Sequence, residues 1–177
     1  MTRIVIGDTE TTGLRTDRGH RIIDFAFVEI INRKITGRVM HHFVDPQFPI
    51  DPGASAVHGV TNDMLVGKPS FASLIPDIRE FIGTDEVIFH NAKFDMEHLD
   101  NECKIAGIDW RIRQTSTVQC TLKAAWAMDK VEYVKGYTLD AMREKYHIDM
   151  ARDLHGALVD ATILAEFYLR FTRQWYI

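Results

Sequence analysis

The stretch Ile4-Val-Ile-Gly-Asp-Thr-Glu-Thr-Thr-Gly-Leu14 constrains this chain more than any other. Ile4, Val5 and Ile6 read as a buried strand, and Gly13 as the turn that ends it. Side chains alternate faces along a strand, so Asp8 and Glu10 point the same way. Two like charges side by side repel, and desolvating them is costly unless a cation sits between them. A hard, oxygen-preferring ion such as Mg²⁺ or Mn²⁺ suits that geometry. The plainer alternative is two solvated acids at a strand tip. Further ligands elsewhere in the chain decide between the two.

The 177 residues are enough for one domain with a substantial core, so residues 1–177 are expected to form a single domain. With 46% apolar and 26% charged residues, disorder is disfavoured. A formal charge of −4 neither advertises nor excludes a nucleic-acid partner. An acidic metal site lowers net charge while its cations attract phosphate. Cys103 and Cys120 lack CxxC spacing, which disfavours a zinc knuckle or a disulfide framework. Met1-Thr2-Arg3 runs straight into the first strand without a signal-peptide apolar region. No apolar run approaches the roughly 18 residues that a membrane span needs. The expectation is a soluble, cytoplasmic protein with no membrane partner.

Arg21 to Asn32 is rich in β-branched and aromatic residues and reads as a second strand. The turn after Asn32 leads into a hairpin partner that runs to about Val44, so three antiparallel strands are expected in sequence. Phe48 to Pro69 carries three prolines and three glycines, and reads as loop with short helical turns. Ser70 is placed to cap a helix with Phe71, Leu74, Ile75, Ile78, Phe81 and Ile82 at helical spacing. Pro76 is expected to kink that helix or delay its start. Val87 to His90 reads as a short strand, followed by a helix from about Asn91 to Ala106, an alternation that implies a parallel strand. A short strand merging into a helix is expected over Val118 to Trp126, then a helix over Tyr137 to Tyr146. A long terminal helix runs to about Arg173.

Three more residues complete a constellation with Asp8 and Glu10. Asp95 follows a strand and stands near a helix start, so it is expected to face the same crevice. Its plainer alternative is a helix N-cap. Asp160 lies in the otherwise apolar Leu154-His-Gly-Ala-Leu-Val-Asp-Ala161, where a lone acid wants a partner. His155 lies five residues earlier. Five helical residues rotate about 500°, or 140° net, so the two share no face of one regular helix. His155 is therefore expected on the loop or first turn before the helix, over the site. Two cations about 4 Å apart can clamp the attacking and leaving oxygens of a phosphoryl displacement. A neutral histidine beside them can take a proton from water.

These residues resemble the DEDD exonucleases of the histidine branch, a family with a ribonuclease-H-like fold. The three motifs are Asp8-Thr-Glu-Thr-Thr-Gly13, His90-Asn-Ala-Lys-Phe-Asp95 and His155-Gly-Ala-Leu-Val-Asp160. Val57-His-Gly-Val60, Tyr137-Thr-Leu-Asp-Ala141 and Ala161-Thr-Ile-Leu-Ala-Glu166 extend the likeness, towards the proofreading subunits of bacterial DNA polymerase III, over nearly the whole chain. The resemblance implies an α/β fold with a mixed five-stranded sheet, its first three strands antiparallel, flanked by helices. It implies that Asp8, Glu10, Asp95 and Asp160 hold two Mg²⁺ or Mn²⁺ ions, with His155 as general base. It implies that Thr11, Thr12, Gly13, Leu14, Val57, His58, Asn91 and Phe94 surround the terminal nucleotide. The product is then a 5′-mononucleotide released from a 3′ end.

The chain departs from the family at Gly7, where a larger apolar residue is usual, and packing behind the metal site is expected to loosen. Gly53 replaces a glutamate near the substrate sugar, and Cys120 a common aspartate. The sequence ends at Ile177 without the tail that tethers the polymerase subunit, as an excised domain or a stand-alone enzyme would. Trp175 and Tyr176 read as a docking tail or as residues packed on the domain. The expected activity is a metal-dependent 3′→5′ exonuclease acting on single-stranded or frayed DNA 3′ ends, with a DNA polymerase subunit as a possible partner. RNA 3′-end trimming is the alternative within the enzyme class, since no motif reads the 2′-hydroxyl. A non-catalytic end-binding module would lack one of the five catalytic positions, and none is missing.

Overall fold

The computed structural model describes residues 2–129, 136–151 and 153–175. Strand β1 covers Arg3–Thr11, so Asp8 and Glu10 lie within the strand. Strands β2 (Ile22–Ile31) and β3 (Lys34–Phe43) follow as an antiparallel meander. Two short helices, α1 (Pro52–His58) and α2 (Asn62–Leu65), occupy the segment punctuated by proline and glycine. Helix α3 (Phe71–Ile82) begins where Ser70 caps it, its side chain accepting from the Ser73 amide at 3.3 Å. The expected delay at Pro76 does not occur, because the helix runs through it. Strand β4 (Glu86–Phe89) then turns at once into α4 (Ala92–Ile105). Asn91 makes that turn at φ 65°, a left-handed conformation that asparagine tolerates better than most side chains. Helix α5 (Ile112–Thr115), strand β5 (Val118–Cys120) and helices α6 (Thr121–Asp129), α7 (Leu139–Lys145) and α8 (Ala157–Phe171) complete the order.

The sheet order is β3-β2-β1-β4-β5, with β4 parallel to both β1 and β5. This is the mixed five-stranded sheet expected from the family. Alternation along β1 divides the core in two. Val5, with Phe25, Phe27, Val87 and Phe89, packs beneath α3 and α4. Ile4 and Ile6, with Ala26, Val28 and Ile88, pack beneath α7 and α8. On α8, Ile163, Leu164 and Phe167 are fully buried, each contributing about 1.5–3 kcal/mol by leaving water.

The pairing of β1 with β4 stops at Ile6, while β1 runs on to Thr11. Asp8 to Thr11 therefore project past the last paired residue of their parallel neighbour. A crevice opens there, outside the carboxyl ends of parallel strands. The β1–β2 register shifts between Glu10 and Thr11, which pair with Asp24 and Ile22, so the extra residue of the bulge is Ile23 on β2. The backbone at Tyr176 lies outside the described residues, as do the side chains of Trp175 and Tyr176.

Candidate active site

Asp8 and Glu10 share the β1 face that carries Ile4 and Ile6, and so look towards α8. Helix α8 starts after the extended Gly156, and the Asp160 amide donates to the Gly156 carbonyl at 2.9 Å. Asp160 is thus buried in the first turn, where the helix dipole favours a negative charge. His155 stands just before the helix, as the rotation between positions 155 and 160 requires. Its backbone N–H donates to the Val57 carbonyl on α1 at 3.1 Å. Its Nδ1 lies 3.4 Å from Asp160 Oδ2. One donor atom each from Glu10, His155 and Asp160 falls within 4.8 Å of the others. Asp8 lines the same cleft, of about 590 Å³, together with Asn91 and Phe94.

Asp95 is placed differently. It lies on α4, beneath the opposite face of the sheet, and is 3% exposed. Thr9, which alternation turns away from Asp8 and Glu10, donates its hydroxyl to Asp95 Oδ1 at 2.9 Å. Asp95 is not among the residues lining the cleft, so the expectation of one shared crevice holds only through Thr9, which does line it. Nor is it the N-cap of α4, a position taken by Asn91. Burial pushes its carboxyl up to about 7, with the Thr9 hydroxyl opposing the shift. A nearby cation would draw such a group back to its charged form.

A second cavity of about 560 Å³ is lined by Glu10, Thr11, Gly13, Leu14, Val57, His58 and Phe94, with residues 51–54. It shares Glu10, Leu14 and Phe94 with the acidic cleft, so the two spaces meet. His58 accepts the Val60 amide on Nδ1 at 3.1 Å, and burial holds its imidazole below the usual range. Leu14 is 80% exposed at the mouth.

Thr12 does not fit the expected contact with substrate. It is fully buried, its hydroxyl accepting the Arg21 amide at 3.0 Å and meeting His20 Nδ1 at 3.0 Å. It directly follows β1, and its own N–H donates to the Arg21 carbonyl at 2.8 Å, which holds it against the start of β2. Its carbonyl accepts the Asp51 amide at 2.9 Å, tying the motif loop to the start of α1.

Gly7 is also corrected. A Cβ there would lie 2.4 Å from Phe89 and 2.9 Å from Phe27, so the two rings already fill the space behind the acids. At Gly53 a Cβ would meet nothing within 4 Å, which leaves open room in the wall of the second cavity. Cys120 ends β5, half-buried against the core beneath α4.

Sequence reasoning missed several residues of the acidic cleft, namely His90, Leu122 and the segment Tyr137 to Asp140. His90 Nε2 lies 2.7 Å from the Tyr137 carbonyl and its Nδ1 2.8 Å from Thr121 Oγ1. It fastens that wall to the end of β4. The signal was present, since both segments lie in stretches that carry the family likeness. Asp24 was missed too, and it stands opposite Glu10 in the β1–β2 register.

Residues 5–168 match the Exonuclease (RNase_T) family. The chain belongs to that family. It is 39% identical over 178 residues to the DNA polymerase III subunit epsilon of Salmonella typhimurium, covering 97% of this chain and 72% of that protein. The Escherichia coli subunit is 38% identical with the same coverage. Among solved structures, exonuclease X in complex with 5′ overhanging duplex DNA superposes with a TM-score of 0.73 at 28% identity, covering 97% and 92% of the two chains. E. coli exonuclease I in a single-stranded DNA complex reaches 0.84 at 17% identity, over 99% of this chain and 42% of that one, a likeness of fold alone. The exonuclease reading taken from the three motifs holds, and the chain is a 3′–5′ exonuclease. Exonucleases of this family depend on metal, and the Glu10 and Asp160 carboxylates, close together in the cleft, are groups that could hold one. No described helix is long and apolar enough to cross a membrane.

Proposed function

We propose that this exonuclease removes 5′-mononucleotides from single-stranded or frayed DNA 3′ ends by metal-assisted hydrolysis. The observation that carries the reading is the convergence of Asp8, Glu10, Asp160 and His155 on one cleft that opens into an apolar pocket. The donor set is mainly carboxylate oxygen, which fits Mg²⁺ or Mn²⁺. Asp8, Glu10, Asp160 and, from the far side of β1, Asp95 would hold two such ions. When bound, they supply a lowered water pKa and charge stabilisation at the phosphate.

The protein's own residues do the rest. His155 takes the proton of the attacking water as general base. With Asp160 Oδ2 3.4 Å from Nδ1, the proton on that nitrogen is held and Nε2 is the basic atom. The same carboxylate stabilises the imidazolium that forms. Leu14, Val57 and Phe94 offer apolar walls to the terminal base, with His58, Thr11, Gly13 and Asn91 around its backbone. Thr12 acts from behind, by holding the motif loop against α1. An end that enters this pocket must be unpaired, and a frayed end costs less to unstack.

The relation to polymerase III epsilon subunits supports a replicative proofreading role beside a DNA polymerase, in the cytoplasm. The described residues gather around one sheet, which supports reading 1–177 as one exonuclease domain. The open space at Gly53 favours a second reading, in which a ribonucleotide end is also accepted. A 5′-labelled single-stranded DNA oligomer and its RNA counterpart, incubated with Mg²⁺ or with EDTA, test both. Stepwise shortening of DNA with Mg²⁺ and none with EDTA is expected. Shortening in EDTA overturns the metal dependence, and faster loss of RNA makes the second reading the correct one.

A further inference from the structure

Helix α8 carries Asp160 and follows directly from His155, yet its own N-cap is Gly156, which has no side chain to cap the first turn. The cap comes from the sheet instead. Asp24, on β2 and 133 residues away in sequence, accepts the Ala157 N–H on Oδ2 at 3.0 Å. Its other oxygen, Oδ1, lies 2.8 Å from His41 Nε2 on β3. Asp24 is 2% exposed, so its orientation is set by these two partners rather than by water. It also pairs across the sheet with Glu10 in the β1–β2 register. One buried carboxylate thus ties the helix that presents Asp160 to the strand beside Glu10.

We propose that Asp24, oriented by His41, is a positioning residue that sets the first turn of α8 against the sheet and so fixes the spacing of Asp160 and His155 from Glu10. A local serine or threonine cap at position 156 would accept the Leu158 or Val159 amide and steady the first turn, but would leave the helix free to slide over β2. The tether removes that freedom. Supporting contacts of this kind matter because ligand and base groups misplaced by an ångström lose much of their rate. The inference rests on the metal-site reading above.

The test compares Asp24→Ala, Asp24→Asn and the double variant Asp24→Ala with Gly156→Ser. Gly156 is extended, and a Cβ there would meet nothing within 4 Å, so the serine fits as a local cap. Each protein is assayed for kcat and KM on single-stranded DNA, for Mn²⁺ affinity by electron paramagnetic resonance, and for melting temperature. Asp24→Ala should lower kcat by about 10- to 100-fold with KM little changed, and weaken Mn²⁺ binding by a similar factor. Asp24→Asn keeps an acceptor for the Ala157 amide and should recover most of both. The double variant should regain the melting temperature but not kcat or Mn²⁺ affinity. If it regains all three, Asp24 serves the helix alone and the proposal is overturned. The same holds if Asp24→Ala keeps wild-type kcat and Mn²⁺ affinity. Should Asp24→Ala not fold, the double variant is read against Asp24→Asn with the same outcomes. If the wild type binds Mn²⁺ but cleaves no DNA, the proposed function fails, while the Mn²⁺ affinities still judge the tether.

Discussion

The two faces of β1 treat acidic side chains in opposite ways. On the α8 face, Asp8, Glu10 and Asp160 border an open cleft with His155 beside them. Asp8 and Glu10 are half-buried there, and Asp160, as buried as Asp95, sits in the first turn of a helix, where a negative charge is favoured. On the α4 face, Asp95 is sealed under the sheet with the Thr9 hydroxyl as its hydrogen-bond partner, and burial pushes it up to about 7. One strand thus carries two half-buried acids on one side and, beneath its other side, an enclosed carboxyl that burial makes hold its proton more tightly than usual. The difference assigns them separate duties. The open face can be loaded directly, whereas the closed face answers to what is loaded.

The sharpest way to break that division is to remove a group from the open face. Asp8→Ala should abolish hydrolysis in a gel-based nuclease assay while leaving the circular dichroism spectrum intact. Retained Mg²⁺-dependent cleavage would place the chemistry elsewhere. His155→Ala comes next, with kcat lower by about 10²–10⁴-fold and Mn²⁺ binding preserved. An unchanged rate would mean that another group takes the proton.

The closed face is tested through stability. The native Asp95 carboxyl holds its proton up to about pH 7, whereas in the unfolded chain it ionises near the ordinary value of about 4. Between those limits the native state binds the extra proton. Its contribution to stability is therefore full below about pH 4 and is lost as pH rises to about 7. Urea unfolding of the metal-free protein should show this decline, and Asp95→Asn should flatten it. A slope unaffected by that substitution would show the burial to be less severe. The smallest effect is at the seam behind both faces. Gly7→Leu should cost about 1–3 kcal/mol by overpacking against Phe89 and Phe27, and Phe89→Leu in the same chain should recover part of it. Chemical denaturation of the single and double variants measures both.

Much of this was legible before any coordinates. The period-two pattern of Ile4, Ile6, Asp8 and Glu10 already set both acids on one face, and angular arithmetic already placed His155 off the helix of Asp160. The burial of Asp95 was not legible, because a sequence shows which helix a residue belongs to, but not which side of the sheet that helix covers. The side chain of Thr12 was misjudged because its partners, His20 and Arg21, are brought to it by a loop whose path no residue type announces. Asp24 escaped notice because its partners, Ala157 and His41, are distant in sequence or on another strand. Contacts made by long closure leave no local signature.

Gly7 has a consequence for how such a chain can change over generations. The rings of Phe27 and Phe89 occupy the volume that a side chain at position 7 would claim. No single substitution at position 7 is neutral while both rings stay, and trimming either ring first opens a void under the acids. The three positions therefore drift as one unit, so relatives with a bulkier residue before the first aspartate should carry smaller ones in place of Phe27 or Phe89.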